Sequence, residues 1–335
     1  MRLAEVISGI RSRLGGEKHQ NFVAYRKIRK HPDFPFSKEP LKKLIVDYME
    51  LEHNAFFHLN YNKGGRVNKQ KIDIVDNIYK HLCDIYTANH DSSLFNFNGA
   101  LLAKPVREAD RELLVMELME FLIYYFCEDI FFCDLVSKCR GGPYEYGHTQ
   151  INSGDVVFDC GANMGAFSAL ASRKCGENGG RVYAFEPYRF LIDNYLQKVV
   201  TENPNITICE YAITSENGQI GFSLANNETE GRISTLDWGD CYRTQSEFTV
   251  QSITLDTFVE RNKIRNVDFI KADIEGAERY LLMGAKQVLR QFAPKLVICT
   301  YHLPDDPKVL RELILEANPK YIVEQQLMKI YAYVP

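Results

Sequence analysis

The sequence has no surplus of basic residues: 40 lysines and arginines face 44 aspartates and glutamates, a formal net charge of −4. Nucleic-acid binders concentrate positive charge, so no nucleic-acid partner is expected. No block of like charge reads as a solvated tail. Long apolar runs are missing too. The longest patch, 121–132, is interrupted by Glu128 and Asp129. It falls short of the roughly 20 residues that cross a bilayer core of about 30 Å, so no membrane span is expected. The opening residues, MRLAEVISGIRSRLGGEKH, carry Arg2, Glu5, Arg11 and Arg13 and lack an apolar core of signal-peptide length. They read as a short amphipathic helix ended by Gly15 and Gly16. The nine cysteines form no CxxC pair and no Cys/His cluster with zinc spacing. Several, including Cys127, Cys209 and Cys299, sit in apolar runs. The reading is of reduced, buried thiols in a cytoplasmic protein. There is no internal repeat and no low-complexity segment.

What is present divides into two halves. Composition is ordinary for a globular chain, 45% hydrophobic and 25% charged over 335 residues. Residues 1–140 read as a helical domain. Segments 41–53 and 68–86 repeat apolar residues at three- and four-residue spacing, and 107–136 is mostly apolar. Prolines 32, 35, 40 and 105 and the pair Gly64-Gly65 separate these pieces.

From 141 to 335 short apolar strands alternate with helical stretches. Strands are expected at 155–159, 181–186, 205–210, 267–273, 295–300, 321–326 and 328–334. Helices are expected at 164–174, 188–200, 255–262, 276–290 and 305–316. Such alternation argues for an open, mostly parallel α/β sheet. The last two strands leave no room for a crossover helix, so they pair as a hairpin and the final strand runs antiparallel. This is the Rossmann-like, seven-stranded class I methyltransferase arrangement. Residues 211–253 interrupt it and read as an inserted hairpin, with Asn217-Gly218 at a turn, plus a loop at 225–248.

Ligands bind beyond the carboxyl ends of the strands in such sheets, and four strand ends here carry polar groups. The first, DCGANMG, places Asp159 before a turn containing Gly161, Ala162, Asn163 and Gly165. The glycines let backbone pass close to a ligand, and the following helix offers free N–H groups. The spacing is GxxxG rather than the dinucleotide GxGxxG. Asp159 would repel a pyrophosphate, whereas S-adenosylmethionine carries a cationic ammonium and sulfonium. The second end carries Glu186, placed to accept hydrogen bonds from ribose hydroxyls, and Pro187, which opens a helix. The third carries Glu210 and Tyr211, near an adenine. The fourth, IKADIEGAE, gathers Lys271, Asp273, Glu275 and Glu278. Helix-dipole stabilisation is the plain role of the two glutamates. Tyr301 and His302 follow on the next strand, and a histidine there is a candidate proton acceptor near neutral pH.

GGPYEYG, GDVVFDCGANMGAFSALASR, GRVYAFEP, VDFIKADIEGAE and TYHLPDD, in this order, resemble the FkbM-type S-adenosylmethionine-dependent methyltransferases over about 140–326. The resemblance implies O-methylation of a hydroxyl on a sugar, glycan or polyketide-type product. It implies that Asp159, Gly161, Asn163 and Gly165 hold the methionine end of the cofactor, and that Glu186 holds its ribose. It sets Asp273 and Glu275 beside the reaction centre. Where the family commonly has an acid before the first strand, this chain has Gly141-Gly142-Pro143, with Glu145 as the available substitute. Residues 1–140 lie outside the resemblance.

The expected mechanism is direct displacement of the methyl group by an acceptor oxygen, with His302 or Asp273 as base and Glu275 beside them. Tyr144, Arg232, Trp238, Tyr242 and Tyr301 are the candidate acceptor contacts. No dedicated metal motif is present and a metal-independent reaction is expected. Asp273, Glu275 and His302 are the ligands available if a divalent ion is used. The acceptor is a small molecule or glycan, and the helical half is a lid or a platform for a homo-oligomer. An NAD-dependent oxidoreductase and a non-catalytic binding module on the same fold are the alternatives.

Overall fold

The structure is a computed structural model that describes residues 93–97, 100–107, 110, 114, 144–224, 231–233, 248–326 and 328–335. All fall within one compact unit, residues 86–114 and 144–335. The helices expected at 41–53 and 68–86, almost all of the segment 107–136 and the boundary near 140 lie outside the described residues.

In chain order the strands are β1 (Leu94–Phe97), β2 (Ala100–Ala103), β3 (Val156–Cys160), β4 (Arg181–Phe185), β5 (Ile206–Cys209), β6 (Ala212–Ile213), β7 (Gly218–Leu224), β8 (Gly231–Ile233), β9 (Phe248–Ile253), β10 (Phe269–Ala272), β11 (Lys295–Cys299), β12 (Ile322–Gln326) and β13 (Lys329–Tyr333). The helices are α1 (Ala166–Cys175), α2 (Arg189–Leu191), α3 (Gln197–Glu202), α4 (Leu255–Arg261), α5 (Glu278–Met283), α6 (Lys286–Gln291) and α7 (Asp306–Ala317). A π turn, Ile192–Leu196, links α2 to α3.

Seven strands form the main sheet in the order β12, β13, β11, β10, β3, β4, β5. The run from β11 to β5 is parallel. β13 is antiparallel to both its neighbours, as the missing crossover length requires. The fold is the seven-stranded class I methyltransferase sheet. Its central strands are apolar almost throughout because helices cover both faces, and β10 is buried at every position. Phe158, Phe185 and Phe258 meet edge to face at 4.7–5.9 Å in the core beneath α4. From β3 the chain moves outward through β4 and β5, then returns to β10 on the other side. The strand order therefore reverses between β3 and β10, which is where such sheets open a ligand crevice.

Three expectations are refined. The helix expected over 276–290 is two helices, α5 and α6, parted at Gly284. A Cβ at Gly284 would sit 2.4 Å from the Thr214 carbonyl oxygen, so this position takes glycine, a weak helix former. The helix expected over 188–200 contains the π turn. The insertion at 211–253 is a small sheet of its own, in the order β6, β9, β7, β8, rather than a lone hairpin.

The β1–β2 hairpin packs on α1 and α3. Its continuation is tied down by Tyr195, a π-turn residue that is fully buried. The Tyr195 hydroxyl accepts from the Val106 amide at 3.1 Å and donates to buried Asp110 in a short hydrogen bond. Arg107 pairs with Asp110 at 2.9 Å. Tyr195→Phe leaves Asp110 and the Val106 N–H short of a partner, so it is expected to destabilise by about 1–3 kcal/mol. A urea melt checks this, and an unchanged midpoint would remove the network from the account of stability.

Candidate functional site

The glycine turn after β3 is pinned by backbone bonds. The Gly161 and Ala162 amides donate to the Phe185 carbonyl at 3.1 and 2.9 Å. Gly161 has φ +83°, and a Cβ there would lie 2.0 Å from the Asp273 carbonyl oxygen. Only glycine lets this turn close against the end of β10. Asn163 is left-handed at φ 50°. Its Oδ1 is buried and makes no hydrogen bond among the described residues. Gly165 caps α1 without a side-chain bond, leaving the first-turn amides of that ten-residue helix directed at the turn.

Asp159 does not present open charge at the turn. It is fully buried, and Lys271 Nζ lies 3.0 Å from its Oδ1. Ser168 donates to its Oδ2 at 2.5 Å. Lys271 also donates to the Gly161 carbonyl at 2.6 Å. Asp159 and Lys271 are register partners across β3 and β10. The electrostatic recruitment expected of Asp159 is thus compensated within the protein, and the carboxylate anchors the turn instead.

Glu186, at the end of β4, accepts from the Asn163 amide at 2.9 Å and the Tyr188 amide at 2.8 Å. It ties the residue that opens α2 and the strand end to the glycine turn. Burial pushes its carboxyl up to about 7, against the lowering effect of the two amides. Each oxygen keeps a second lone pair for an incoming hydroxyl. Pro187, Glu210 and Tyr211 line a neighbouring cavity of about 870 Å³ with Tyr188, Phe248 and Phe258. Glu210 pairs with Arg189 at 2.8 Å on the surface.

The fourth strand end assembles a dense cluster. Asp273 accepts from the Tyr144 hydroxyl at 2.9 Å and from the Tyr301 hydroxyl at 2.8 Å. His302 Nε2 lies 3.6 Å from Asp273 Oδ1 and 3.6 Å from Glu275 Oε2. His302 Nδ1 lies 3.1 Å from Glu278 Oε1. Glu275 is held at φ 54°, a conformation that L residues rarely adopt, and Gly276 follows at φ 98°. Glu278 and Arg279, at the start of α5, clamp the two loops together. Glu278 accepts from the Ile274 amide at 2.9 Å. Arg279 binds Asp305 and Asp306 at 2.8 and 2.6 Å, fixing the loop that carries His302. The cluster abuts the glycine turn, since the Asp273 amide donates to the Cys160 carbonyl at 3.1 Å.

His302, the candidate base, sits among three carboxylates. Burial works to lower its pKa, but the carboxylates of Glu278, Glu275 and Asp273 outweigh it and raise the imidazole to about 10.

Tyr144 and Tyr301, named as acceptor contacts, both bond Asp273. Glu145, the substitute acid, does not. It accepts from the Ile151 amide at 2.8 Å and pairs with Lys174. Arg232 is described in its backbone alone, and Trp238 and Tyr242 lie outside the described residues. The candidate set omitted three residues that the structure brings in: Lys271 beside Asp159, Glu278 beside His302, and buried Lys329, whose Nζ sits 4.4 Å from the centre of the Tyr144 ring. A lysine inside the apolar run VDFIKAD was the available signal for Lys271. Glu278 read only as a helix-end acid, and nothing local marked Lys329.

A hexuronic acid methyltransferase, AglP, of Haloferax volcanii is 28% identical over 167 residues, spanning 49% of this chain and 63% of that protein. The chain thus spans less than two thirds of that relative. Among solved structures, a methyltransferase FkbM from Methylobacillus flagellatus aligns at 20% identity and TM-score 0.43, covering 68% of this chain and 56% of the other. An Aeropyrum pernix fibrillarin with natively bound S-adenosylmethionine aligns at 13% identity and TM-score 0.38, covering 74% and 86%. Residues 159–321 match the methyltransferase FkbM domain. That match takes in the glycine turn, Glu186 and the whole cluster from Asp273 to His302, and it sets aside the dinucleotide oxidoreductase alternative. Residues 159–321 of this chain are a methyltransferase FkbM domain.

Proposed function

We propose that this protein transfers a methyl group from S-adenosylmethionine to a hydroxyl oxygen of a sugar, glycan or related small molecule. The observation that supports it best is the convergence of the glycine turn, Glu186 and the Asp273 cluster at the ends of β3, β4 and β10. The Haloferax volcanii relative's name directs the choice of a sugar acceptor.

The residues fit the cofactor. Asn163 Oδ1, buried without a hydrogen bond among the described residues, is an acceptor suited to an ammonium group. The free amides at the start of α1 suit a carboxylate. Glu186 accepts the ribose hydroxyls, and the cavity lined by Tyr211 and Glu210 takes the adenine. When bound, S-adenosylmethionine supplies an electrophilic methyl group. The chain supplies position. Of the clustered side chains, Asp273 is the most open, 19% exposed against 15% for Glu275 and 7% for His302. Asp273 therefore meets the acceptor hydroxyl, and its Oδ2, hydrogen-bonded to Tyr144, takes the proton as the new C–O bond forms. Tyr144 and Tyr301 hold the carboxylate in place. Residues 1–140 are assigned the role of a lid or a platform for a homo-oligomer. Arg232, Trp238 and Tyr242 are assigned to contacts with the acceptor.

Three outcomes are expected. S-adenosylmethionine and S-adenosylhomocysteine should raise the melting temperature, and Asn163→Ala should weaken both shifts, because a ligand bound only to the folded state stabilises it. No shift in the wild-type protein would overturn the reading. Second, affinity for S-adenosylhomocysteine should rise between pH 5.5 and 7.5. Ribose donors favour the ionised carboxylate, so binding expels the proton that Glu186 holds up to about 7. Calorimetry on Glu186→Gln should show that slope flattened. Third, Asp273→Asn should slow turnover by about 10²–10⁴-fold while the cofactor shift persists. Mass spectrometry of the product identifies the acceptor atom. A methyl group lost to mild alkali marks an ester and would replace the hydroxyl with a carboxylate as the acceptor.

A further inference from the structure

We propose that Asp273, Glu275 and His302 bind one divalent cation, with Mn²⁺ the best match, next to the acceptor oxygen. Three features point there. The three side chains each offer one donor atom, and all of these lie within 4.8 Å of one another. Donors around one cation with bonds of about 2.0–2.4 Å lie about 2.8 Å apart when adjacent and up to about 4.8 Å apart when opposite.

The second feature is His302. Its side chain is 7% exposed, yet Nε2 makes no hydrogen bond among the described residues. Nε2 points between Asp273 Oδ1 and Glu275 Oε2 at 3.6 Å from each. That separation exceeds a hydrogen bond and suits atoms that share a ligand. A buried nitrogen aimed at two carboxylates at that separation leaves room for a ligand shared by all three.

The third feature is the support behind the donors. Histidine ligands present their other nitrogen to a carboxylate, and Nδ1 here lies 3.1 Å from Glu278 Oε1. Glu278 is itself fully buried and anchored to the Ile274 amide. Ligating carboxylates are in turn hydrogen-bonded, and Asp273 accepts from two tyrosines. Two carboxylate oxygens and one imidazole form a mixed set. Its imidazole disfavours Ca²⁺ and Mg²⁺ and its two carboxylate oxygens suit Mn²⁺, which is the probe chosen among the first-row divalent ions such a mixed set accepts.

Binding does not depend on the methyltransferase reading; only the cation's role rests on it. An acceptor hydroxyl on the cation loses its proton more readily. The oxygen lone pair forms the C–O bond, the methyl–sulfur bond breaks with its electrons left on sulfur, and the proton leaves through Asp273 Oδ2 to water.

The test uses the full chain, stripped with a chelator and titrated with Mn²⁺, with free Mn²⁺ read by electron paramagnetic resonance and heat by calorimetry. One Mn²⁺ per chain is expected. Affinity should fall at least tenfold in Glu275→Gln and in His302→Ala, and about tenfold or more in Glu278→Gln, which acts through His302. The S-adenosylhomocysteine thermal shift, measured on each variant, reports whether it folds. Absence of Mn²⁺ binding to the wild-type chain overturns the proposal, as does unchanged affinity in folded Glu275→Gln. If Mn²⁺ fails to bind while the thermal shift persists, the cation is lost and the methyltransferase reading stands. If Mn²⁺ binds with the expected variant losses but no thermal shift appears, the cation site stands and that reading falls.

Discussion

The contact on which the site depends is the buried ion pair between Asp159 and Lys271. It spans the point where strand order reverses, joining the end of β3 to the neighbouring strand β10. Lys271 holds the Gly161 carbonyl as well, and Ser168 of α1 holds the other oxygen of Asp159. One charge pair thus fixes the glycine turn, the start of the following helix and the strand that carries Asp273. Burying such a pair gains little net stability, since desolvation offsets most of the attraction. Removing one partner is far more damaging, because the other charge is left dry. The pair therefore serves geometry: it sets the distance between the cofactor turn and the acidic cluster.

A second level of organisation lies at the start of α5. Glu278 reaches back to the Ile274 amide and sideways to His302, while Arg279 gathers Asp305 and Asp306. Two loops from adjacent strands are bound by consecutive residues of one short helix. This is why Glu275 can be held in a left-handed conformation without help from glycine: the segments on either side are already fixed. The cluster is preorganised, and its protonation follows from its packing. Three carboxylates around one imidazole decide its charge more strongly than burial does.

Much of the fold was legible in the sequence. The strand and helix alternation after residue 141 yielded the seven strands, nearly to the residue, because apolar β-runs bounded by turn residues are local signals. The hairpin at the end followed from chain length alone. The glycine turn, Glu186, Asp273 and Glu275 were legible for the same reason: strand ends in such a sheet face the crevice. The meaning of Asp159 was not legible. As a lone acid before a glycine turn it read as open charge, and its neutralisation depends on a residue 112 positions away in sequence.

The amino-acid order by itself determined the elements, their succession, and which side chains stand at the mouths of the strands. Periodicity and turn chemistry act over a few residues and survive without knowledge of the whole. Tertiary structure alone decided what those side chains are electrically. It assigned Lys271 to Asp159, surrounded His302 with carboxylates and turned Glu278 from a helix-end acid into the partner of a buried ring. Charge state depends on neighbours through space, and space between distant segments exists only once the sheet is assembled.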